Sequence, residues 1–244
     1  SSDLRDAAFL SGKLDGMLTD YPGATLLQAK GSRLRLVMET DGSLSLIASK
    51  KSNVRNPDDL KGKNISVSGN TFVEYATDEV MKRACLHPGE VNKPEINNIP
   101  LRLMMLEDGQ ISASFLPGPA TAIALNNGHT ALLNTRQMGL RCTGIVFSEK
   151  AITEKDEEIR RFITGYNLGV KYLQTRPQNE WTEILVKEFG LQEKAAMQID
   201  LPDYRPATRP SYHDIEKIIA WLKSKGAIPD YYPGENLVDK IGRA

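Results

Sequence analysis

The sequence predicts an α/β fold built as two similar lobes, each a mixed sheet flanked by helices, with two crossovers of the chain between them. Three observations lead to this prediction. One strand–turn–helix unit occurs twice, short apolar runs alternate with helical periodicities, and a chain of 244 residues can hold two modest domains.

The repeated unit is the feature around which the chain is organised. Residues 12–31 (GKLDGMLTDYPGATLLQAKG) align without a gap on residues 109–128 (GQISASFLPGPATAIALNNG), at a constant offset of 97. Pro22 falls on Pro119, where proline suits the first turn of a helix, and the closing glycines suit the left-handed position after one. Chance similarity is the alternative, because any strand–turn–helix favours Gly and Pro.

The other elements follow from apolar periodicity and turn chemistry. Apolar runs predict strands at residues 14–18, 34–38, 44–49, 64–68, 96–99 (an edge strand), 111–116, 131–133 and 142–147. Helical spacing predicts helices at residues 3–11, 24–30, 71–84, 101–107, 152–174, 181–189 and 191–199. Thr71 with Glu74 fits a capping box, and Ser211 with Asp214 caps a last helix.

Polar, turn-rich stretches at residues 50–57 and 134–140 are the predicted crossovers. We therefore expect residues 1–52 and 141–244 to form a discontinuous lobe one, and residues 53–140 to form lobe two. In open α/β sheets, ligands lie beyond the carboxyl ends of the strands and near helix N-termini, which favours those places in both copies of the repeat.

Composition excludes several classes of protein. Lys plus Arg and Asp plus Glu number 31 each, so no basic excess indicates nucleic acid and no polybasic run indicates a membrane surface. No apolar run approaches the roughly 20 residues of a membrane span, and no signal peptide is visible, which leaves a mature or trimmed chain and a cytosolic protein both open. Cys85 and Cys142 lack zinc-site spacing, and two free thiols are favoured over one disulfide.

A family resemblance becomes specific at residues 59–70 (DLKGKNISVSGN). This segment resembles the first lobe crossing of the extracytoplasmic solute-binding proteins of ABC importers, of the NMT1/THI5-like type that serves alkanesulfonates, taurine and thiamine-precursor pyrimidines. Residues 85–91 resemble that family's helix stop, residues 109–119 its Gly-x-hydrophobic-Asp-Ala…Pro unit, and residues 221–226 its final Trp-Leu helix before a Gly. The resemblance implies a two-lobed periplasmic-binding-protein-like fold of type II.

Two departures from the family pattern accompany the resemblance. Ser112 stands where the family's second unit has Asp, although Asp15 keeps that residue type in the first unit. We also expect the chain to lack the strand, helix and strand that begin the family's fold, because the helix at residue 3 comes first.

The resemblance implies that a small cargo is held between two lobes that close over it. Helix N-termini supply free N–H groups and partial positive charge, Tyr21 could stack on a ring, and Asp20 could accept a hydrogen bond from an amine. An ordinary cap, turn or packing role is the alternative for each candidate. The predicted ligand-binding residues are Asp20, Tyr21, Thr40, Ser68, Gly69, Asn70, Thr71, Phe72, Pro117 and Gly118.

Charges near the strand ends bear on the cargo. Asp20, Glu39, Asp41 and Glu74 are acidic, with Glu39 expected in a solvated turn, and Arg141 is the one nearby cation. Because sulfonate and phosphate sites usually gain an Arg or Lys, this balance favours a neutral or amine-bearing heterocycle, such as an aminopyrimidine, over a sulfonate.

Enzyme motifs of the GxSxG, HExxH and GxGxxG types are absent, and we expect His87, His129 and His213 to be exposed. We therefore predict the substrate-binding component of an ABC importer, without catalysis, cofactor or metal. Its partners are a small ligand and a membrane permease, with no nucleic acid and no membrane insertion. We expect a monomer in the periplasm or lipid-anchored at the cell surface. A pyrimidine-biosynthesis-type enzyme and the ligand-sensing domain of a transcriptional regulator are the alternatives.

Overall fold

The computed structural model of the protein describes residues 2–189, 192–197, 201 and 203–239. The chain forms two units. Unit 1 comprises Ser1–Asp41, Arg141–Thr175 and Asp203–Ala244, and unit 2 comprises Gly42–Leu140 and Arg176–Pro202. Unit 2 thus begins eleven residues earlier than the predicted lobe two, and it also includes residues 176–202, which were expected in lobe one.

The described chain contains both strands and helices, as the sequence predicts. The strands are β1 (Gly16–Asp20), β2 (Leu34–Thr40), β3 (Leu44–Ala48), β4 (Ile65–Ser66), β5 (Ala113–Pro117), β6 (Thr130–Asn134) and β7 (Thr143–Ser148). The α-helices are α1 (Ser2–Leu10), α2 (Tyr21–Ala29), α3 (Phe72–Arg83), α4 (Ile99–Asp108), α5 (Gly118–Asn126), α6 (Glu149–Glu154), α7 (Asp156–Thr175), α8 (Gln178–Phe189), α9 (Glu193–Met197) and α10 (Tyr212–Ser224).

Unit 1 is built on a three-stranded antiparallel sheet of order β1-β7-β2. Thr143 of the central strand is the register partner of both Asp20 and Thr40, so the carboxyl ends of β1 and β2 lie on either side of it. The strands approach closely at Gly144, where a Cβ atom would lie 2.7 Å from the carbonyl oxygen of Met38. This row of strand ends is the part of unit 1 that carries the predicted ligand-binding residues.

The helix predicted over residues 152–174 is two helices in the structure. Lys155, with φ of −129°, ends α6, and α7 begins at the next residue. Three acidic residues in the first turn of α7 suit the positive end of its dipole. The two helices cover one face of the sheet in an apolar cluster of Val37, Met38, Phe147, Ala151, Ile152, Ile159 and Ile163.

Unit 2 is built on a four-stranded sheet of order β4-β5-β3-β6, in which β4 is parallel to β5 and the other pairs are antiparallel. The strand predicted over residues 44–49 was assigned to lobe one, but β3 pairs with β5 and β6 in this sheet. Its residues Leu46, Ile47 and Ala48 are buried on both faces, as a central strand requires.

The repeat predicted from the sequence is present at the same offset in the structure. Strand β1 and helix α2 correspond residue for residue to β5 and α5, 97 positions later. The closing glycines also agree, since Gly31 and Gly128 both have left-handed backbones, with φ of 96° and 85°. The two copies lie in different sheets, one in each unit.

Three further predictions can be compared with the described residues. The edge strand over residues 96–99 is wrong, because only a single bridge joins Glu95 to Val67 and α4 begins at Ile99. The two cysteines form no disulfide, as favoured from the sequence, and Cys142 is buried. The helix predicted over residues 191–199 is seen as α9, while residues 191, 198 and 199 lie outside the described part of the chain.

Candidate ligand-binding site

Asp20 and Tyr21 lie where β1 passes directly into α2. Asp20 caps the helix, because its Oδ1 atom accepts from the backbone N–H of Gly23 at 2.7 Å. Tyr21 is fully buried, and its hydroxyl donates to Glu39 Oε2 at 3.3 Å. The ring predicted to stack on a ligand is therefore part of the core of unit 1 in this structure.

Two carboxylates follow at the end of β2 and share one arginine. Arg205 donates from Nη2 to Glu39 Oε1 at 2.6 Å and from Nε to Asp41 Oδ1 at 2.9 Å. Its backbone N–H also donates to Asp41 Oδ2, at 2.8 Å. The loop that carries Arg205 is further held by Glu39, whose backbone N–H donates to the carbonyl of Thr208 at 2.8 Å.

Arg141 contacts the same two carboxylates less closely. Its Nη1 atom lies 3.2 Å from Asp41 Oδ1 and 3.5 Å from Glu39 Oε1, and 42% of its side chain is exposed. Beside it, Thr40 donates to the hydroxyl of Thr143 at 2.9 Å. Arg141 is thus a cation at the strand ends whose guanidinium is only partly engaged.

We call this group of side chains at the strand ends the strand-end cluster and define it as Tyr21, Glu39, Asp41, Arg141, Tyr166 and Arg205. Desolvation raises the pKa of Glu39, against the lowering effect of Arg205. Burial raises the pKa of Tyr21 as well, and the negative charge of Glu39 adds to that increase. Burial also raises the pKa of Tyr166 to about 12, and its hydroxyl has no hydrogen-bond partner among the described residues.

The strand-end cluster corrects two predictions about charge. Glu39 was expected in a solvated turn but is only 6% exposed. Arg141 was expected to be the one nearby cation, yet Arg205 is closer to both acids. Sequence reasoning missed Arg205 because it lies 164 positions after Asp41, in a loop without periodicity. Arg205 therefore reduces the acidic excess that favoured an amine-bearing ligand in unit 1.

In unit 2, the turn between β4 and α3 is held by its own side chains. Thr71 caps α3 by accepting from the backbone N–H of Val73 at 3.2 Å, and its hydroxyl donates to the carbonyl of Ser68 at 2.7 Å. Glu74 also holds this turn, because its Oε2 atom accepts from the backbone N–H of Asn70, the residue before the cap, at 2.7 Å. Asn70 tolerates this turn with a left-handed φ of 55°.

The other candidates of this turn differ in how accessible they are. Phe72 is only 3% exposed and belongs to the core. The hydroxyl of Ser68 donates to Asn97 Oδ1 at 2.7 Å. Gly69 lies against Glu95, where an added Cβ atom would come within 2.8 Å of a carboxylate oxygen. The backbone at Gly69 therefore approaches a carboxylate that the sequence analysis did not single out.

Pro117 and Gly118 form the second strand-to-helix junction, where β5 passes into α5. Pro117 occupies the capping position but provides no side-chain hydrogen bond to the helix. Gly118 is exposed, and nothing lies within 4 Å of the position of a Cβ atom there. This helix start therefore keeps its first N–H groups without a side-chain cap, unlike the equivalent start of α2.

Within unit 1 the structure brings Asp20 and Thr40 into one row across Thr143, with Tyr21 beneath them. Within unit 2, Ser68 follows β4 and Pro117 ends β5, which are neighbouring parallel strands. Three surface cavities have none of the ten predicted residues in their walls: two lie in unit 1, of about 920 and 460 Å³, and one of about 540 Å³ lies in unit 2.

Three further features of the described residues concern His129, the grouping of metal-ligating residue types, and the apolarity of the helices. His129 was expected to be exposed but is buried: its Nδ1 atom accepts from the backbone N–H of Lys50 at 3.1 Å, and Nε2 lies 2.8 Å from Glu107. In the part of the chain that the structure describes, no three His, Cys, Asp or Glu residues are grouped as a metal site would require. Among the same residues, no helix combines the length and apolarity needed to cross a bilayer.

Comparison with known proteins identifies a family and a fold. A sequence model of the NMT1/THI5-like family matches residues 3–180. No curated protein matches the chain.

Three solved structures show the breadth of the fold. The periplasmic aliphatic sulphonate binding protein SsuA from Escherichia coli is 14% identical, with a TM-score of 0.80, over 94% of this chain and 81% of that one. The alkanesulfonate-binding protein SsuA from Xanthomonas axonopodis pv. citri, bound to MOPS, is 18% identical, with a TM-score of 0.76, over 92% and 80% of the two chains. The desulfurization enzyme DSZB is 11% identical, with a TM-score of 0.64, over 91% and 82%. The chain therefore has the periplasmic-binding-protein fold.

Proposed function

This chain belongs to the NMT1/THI5-like family, and from that premise we propose that it is the substrate-binding component of an ABC importer. In this proposal it captures a small organic molecule outside the cytoplasm and delivers it to a membrane permease without changing it chemically. The observation that carries the proposal is the family match over residues 3–180, and the fold shared with two sulfonate-binding proteins agrees with it.

The duplicated β-α unit supports a binding role in physical terms. In both copies a strand passes directly into a helix, so the first N–H groups of the helix lie at the strand's carboxyl end. Such N–H groups, together with the helix dipole, attract anionic or hydrogen-bond-accepting groups of a ligand. At the end of β5 these N–H groups have no side-chain cap, whereas at the end of β1 Asp20 accepts from one of them.

Charge at the strand-end cluster supports a sulfonate-like ligand at least as well as an aminopyrimidine-like one. Glu39 and Asp41 are both paired with Arg205, whose positive charge reduces the acidic excess that favoured an amine. Arg141 is partly exposed and only loosely engaged, and an arginine suits an oxyanion such as a sulfonate. We therefore propose a small organic anion as the first class to test and aminopyrimidines as the second.

An enzyme is the second candidate function, and DSZB is the observation that favours it, because this desulfurization enzyme shares the fold. Fold similarity at 11% identity carries no chemistry by itself. Each ligand found should therefore be incubated with the protein and analysed by mass spectrometry. Unchanged ligand agrees with transport, and conversion to a product overturns the transport proposal.

A thermal-shift screen of sulfonates, aminopyrimidines and vitamins tests the binding role. A ligand that binds only the native state adds about 2.7 kcal/mol of stability when its free concentration is 100 times its dissociation constant, and this raises the melting temperature. Calorimetric titration of each hit then gives its affinity. If no member of these three classes shifts the melting temperature, the proposed function is wrong for these ligands.

The site assignment needs a control for helix capping, because Asp20 and Thr71 are both caps. We expect Asp20→Ala and Thr71→Ala to weaken the binding of a hit by about tenfold or more, which is about 1.4 kcal/mol. Ser211→Ala removes the cap of α10 and should lower the melting temperature similarly while leaving affinity unchanged. Equal affinities in all three variants would show that the assigned residues do not bind the ligand.

A further inference from the structure

Arg102 is a buried cation in unit 2 with few hydrogen-bond partners among the described residues. It lies on α4, is 3% exposed, and donates from Nη1 to the carbonyl oxygen of Phe115 at 3.0 Å. Its Nε atom has no hydrogen-bond partner among the described residues, and none of their carboxylates pairs with it. A guanidinium stays protonated in proteins, so this side chain places an unneutralised positive charge in the core.

Ser66 is a second buried group with an unused donor, on the neighbouring part of the sheet. It is 0% exposed, and its Oγ atom has no partner among the described residues. Ser66 is the register partner of Ser114 on the parallel strand β5, so the two side chains stand on the same face of the sheet. The hydroxyl of Ser114 reaches the carbonyl of Ser66 at 3.3 Å.

One carbonyl links these groups. The oxygen of Phe115 receives Arg102 at 3.0 Å and also lies 3.4 Å from the hydroxyl of Ser114. Arg102 and Ser114 therefore share one backbone carbonyl, and Ser66 stands beside Ser114 on the same face of the sheet. We call this buried group, formed by α4 and the β4-β5 pair, the Arg102 pocket. Its two unpartnered atoms, Nε of Arg102 and Oγ of Ser66, both carry a hydrogen to donate.

The chemistry of this pocket selects an acceptor with negative charge. An unsatisfied buried donor costs about 1–3 kcal/mol, and an uncompensated buried charge costs several kcal/mol. A water molecule can accept from both donors but leaves the charge of Arg102 unbalanced. A small anion accepts from both donors and neutralises the charge. Burial lowers the pKa of Arg102, as expected for a cation without a counter-charge.

We propose that the Arg102 pocket binds a small monovalent inorganic anion, such as chloride, as a structural ion of unit 2. Arg102 and Ser66 donate to it. Neither Arg102 nor Ser66 is among the ligand-binding residues predicted from the sequence, and the proposal does not depend on the proposed transport function.

The first test compares melting temperatures in sodium chloride and sodium gluconate at equal ionic strength. Chloride at about five times its dissociation constant should raise the melting temperature of the wild-type protein by about 2–4 °C. Arg102→Met should lose this chloride-specific increase. Arg83→Met is the matched control, because Arg83 also donates to a backbone carbonyl, that of Met138, but is exposed. A nonspecific salt effect acts on all three proteins equally.

The second test locates the ion directly. Crystals grown or soaked in bromide should show an anomalous peak within hydrogen-bonding distance of Arg102 Nε and Ser66 Oγ. Ser66→Ala should require several times more chloride for the same increase in melting temperature. The proposal is overturned if wild type and Arg102→Met respond to chloride alike, or if the anomalous map shows no bromide in the pocket.

Discussion

Replacing Arg205 by methionine tests whether the strand-end cluster stabilises unit 1. The substitution keeps most of the apolar stem and removes the charge that Glu39 and Asp41 share, at 2.6 and 2.9 Å. The side chains of these two acids are only 5% and 8% exposed, so they cannot recover full hydration when the arginine is gone.

The expected loss lies between two reference values. Removing one partner of a fully buried pair costs about 3–5 kcal/mol, whereas an exposed pair contributes about 0.2–1 kcal/mol. Because 39% of the Arg205 side chain is exposed and Arg141 still contacts both acids, we expect a loss of about 2–3 kcal/mol. For a chain of this size, that corresponds to a decrease of about 4–12 °C in melting temperature.

Urea unfolding followed by far-ultraviolet circular dichroism measures the loss. Arg161→Met is the matched control, because Arg161 pairs with Glu157 one helical turn away and both side chains are about three-quarters exposed. That variant should lose only about 0.3–0.5 kcal/mol. A loss in Arg205→Met no larger than in Arg161→Met would refute the reasoning.

A second substitution distinguishes an unpaired charge from lost packing. In the Arg205→Met background, Glu39→Gln removes the carboxylate that the arginine had neutralised. We therefore expect Glu39→Gln to be more stabilising in that background than in the wild type, where Arg205 offsets part of the cost of burying the charge. The same effect in both backgrounds would mean that the two residues are not coupled.

Two further predictions concern protonation and close packing. Burial raises the pKa of Glu39, so the native state binds the carboxyl proton more tightly than the unfolded chain does, and the contribution of Glu39 to stability decreases as pH rises from 4.5 through the raised pKa. The free energy of unfolding of Glu39→Gln, measured in urea, should therefore increase relative to that of the wild type over this pH interval. Parallel curves of unfolding free energy against pH would contradict the raised pKa. Gly144→Ala should lower the free energy of unfolding by about 3 kcal/mol, because the new Cβ atom would lie 2.7 Å from a backbone carbonyl oxygen. Gly165→Ala, on the exposed face of α7 with nothing within 4 Å of the new Cβ atom, should raise it by about 0.5–1 kcal/mol. Equal effects of the two substitutions in thermal melts would contradict the packing argument.

Local patterns explain why much of the fold could be predicted. The repeat has the same offset in sequence and structure because backbone geometry dictates the residues that mark its ends. These are Gly at the left-handed closing positions and Pro in the first helical turn. The cap at Ser211 is likewise local and is confirmed, with its hydroxyl accepting from the backbone N–H of Asp214 at 3.3 Å. The break at Lys155 was missed because the apolar period continues across it.

Long-range pairing explains what could not be predicted. β3 is apolar enough to be a buried strand, but nothing in its own residues says which sheet it joins. The burial of Glu39 depends on Arg205, and that of Tyr21 depends on the strands that surround it, so neither can be read from a short window. The charge of a candidate site is the sum over such distant partners, which is why the sequence overestimated the acidic excess in unit 1.

The two copies of the repeat separate what the backbone determines from what the side chains add. Asp20 and Pro117 occupy equivalent positions, as do Tyr21 and Gly118, because each pair is 97 residues apart. In the first copy the carboxylate caps the helix and the ring fills the core, so the helix start is satisfied internally. In the second copy Pro117 provides no side-chain cap, and no heavy atom of the described residues lies within 4 Å of where a Cβ atom on Gly118 would be. One backbone geometry therefore gives a closed junction in unit 1 and an open one in unit 2, and ligand chemistry should depend more on the second copy than on the first.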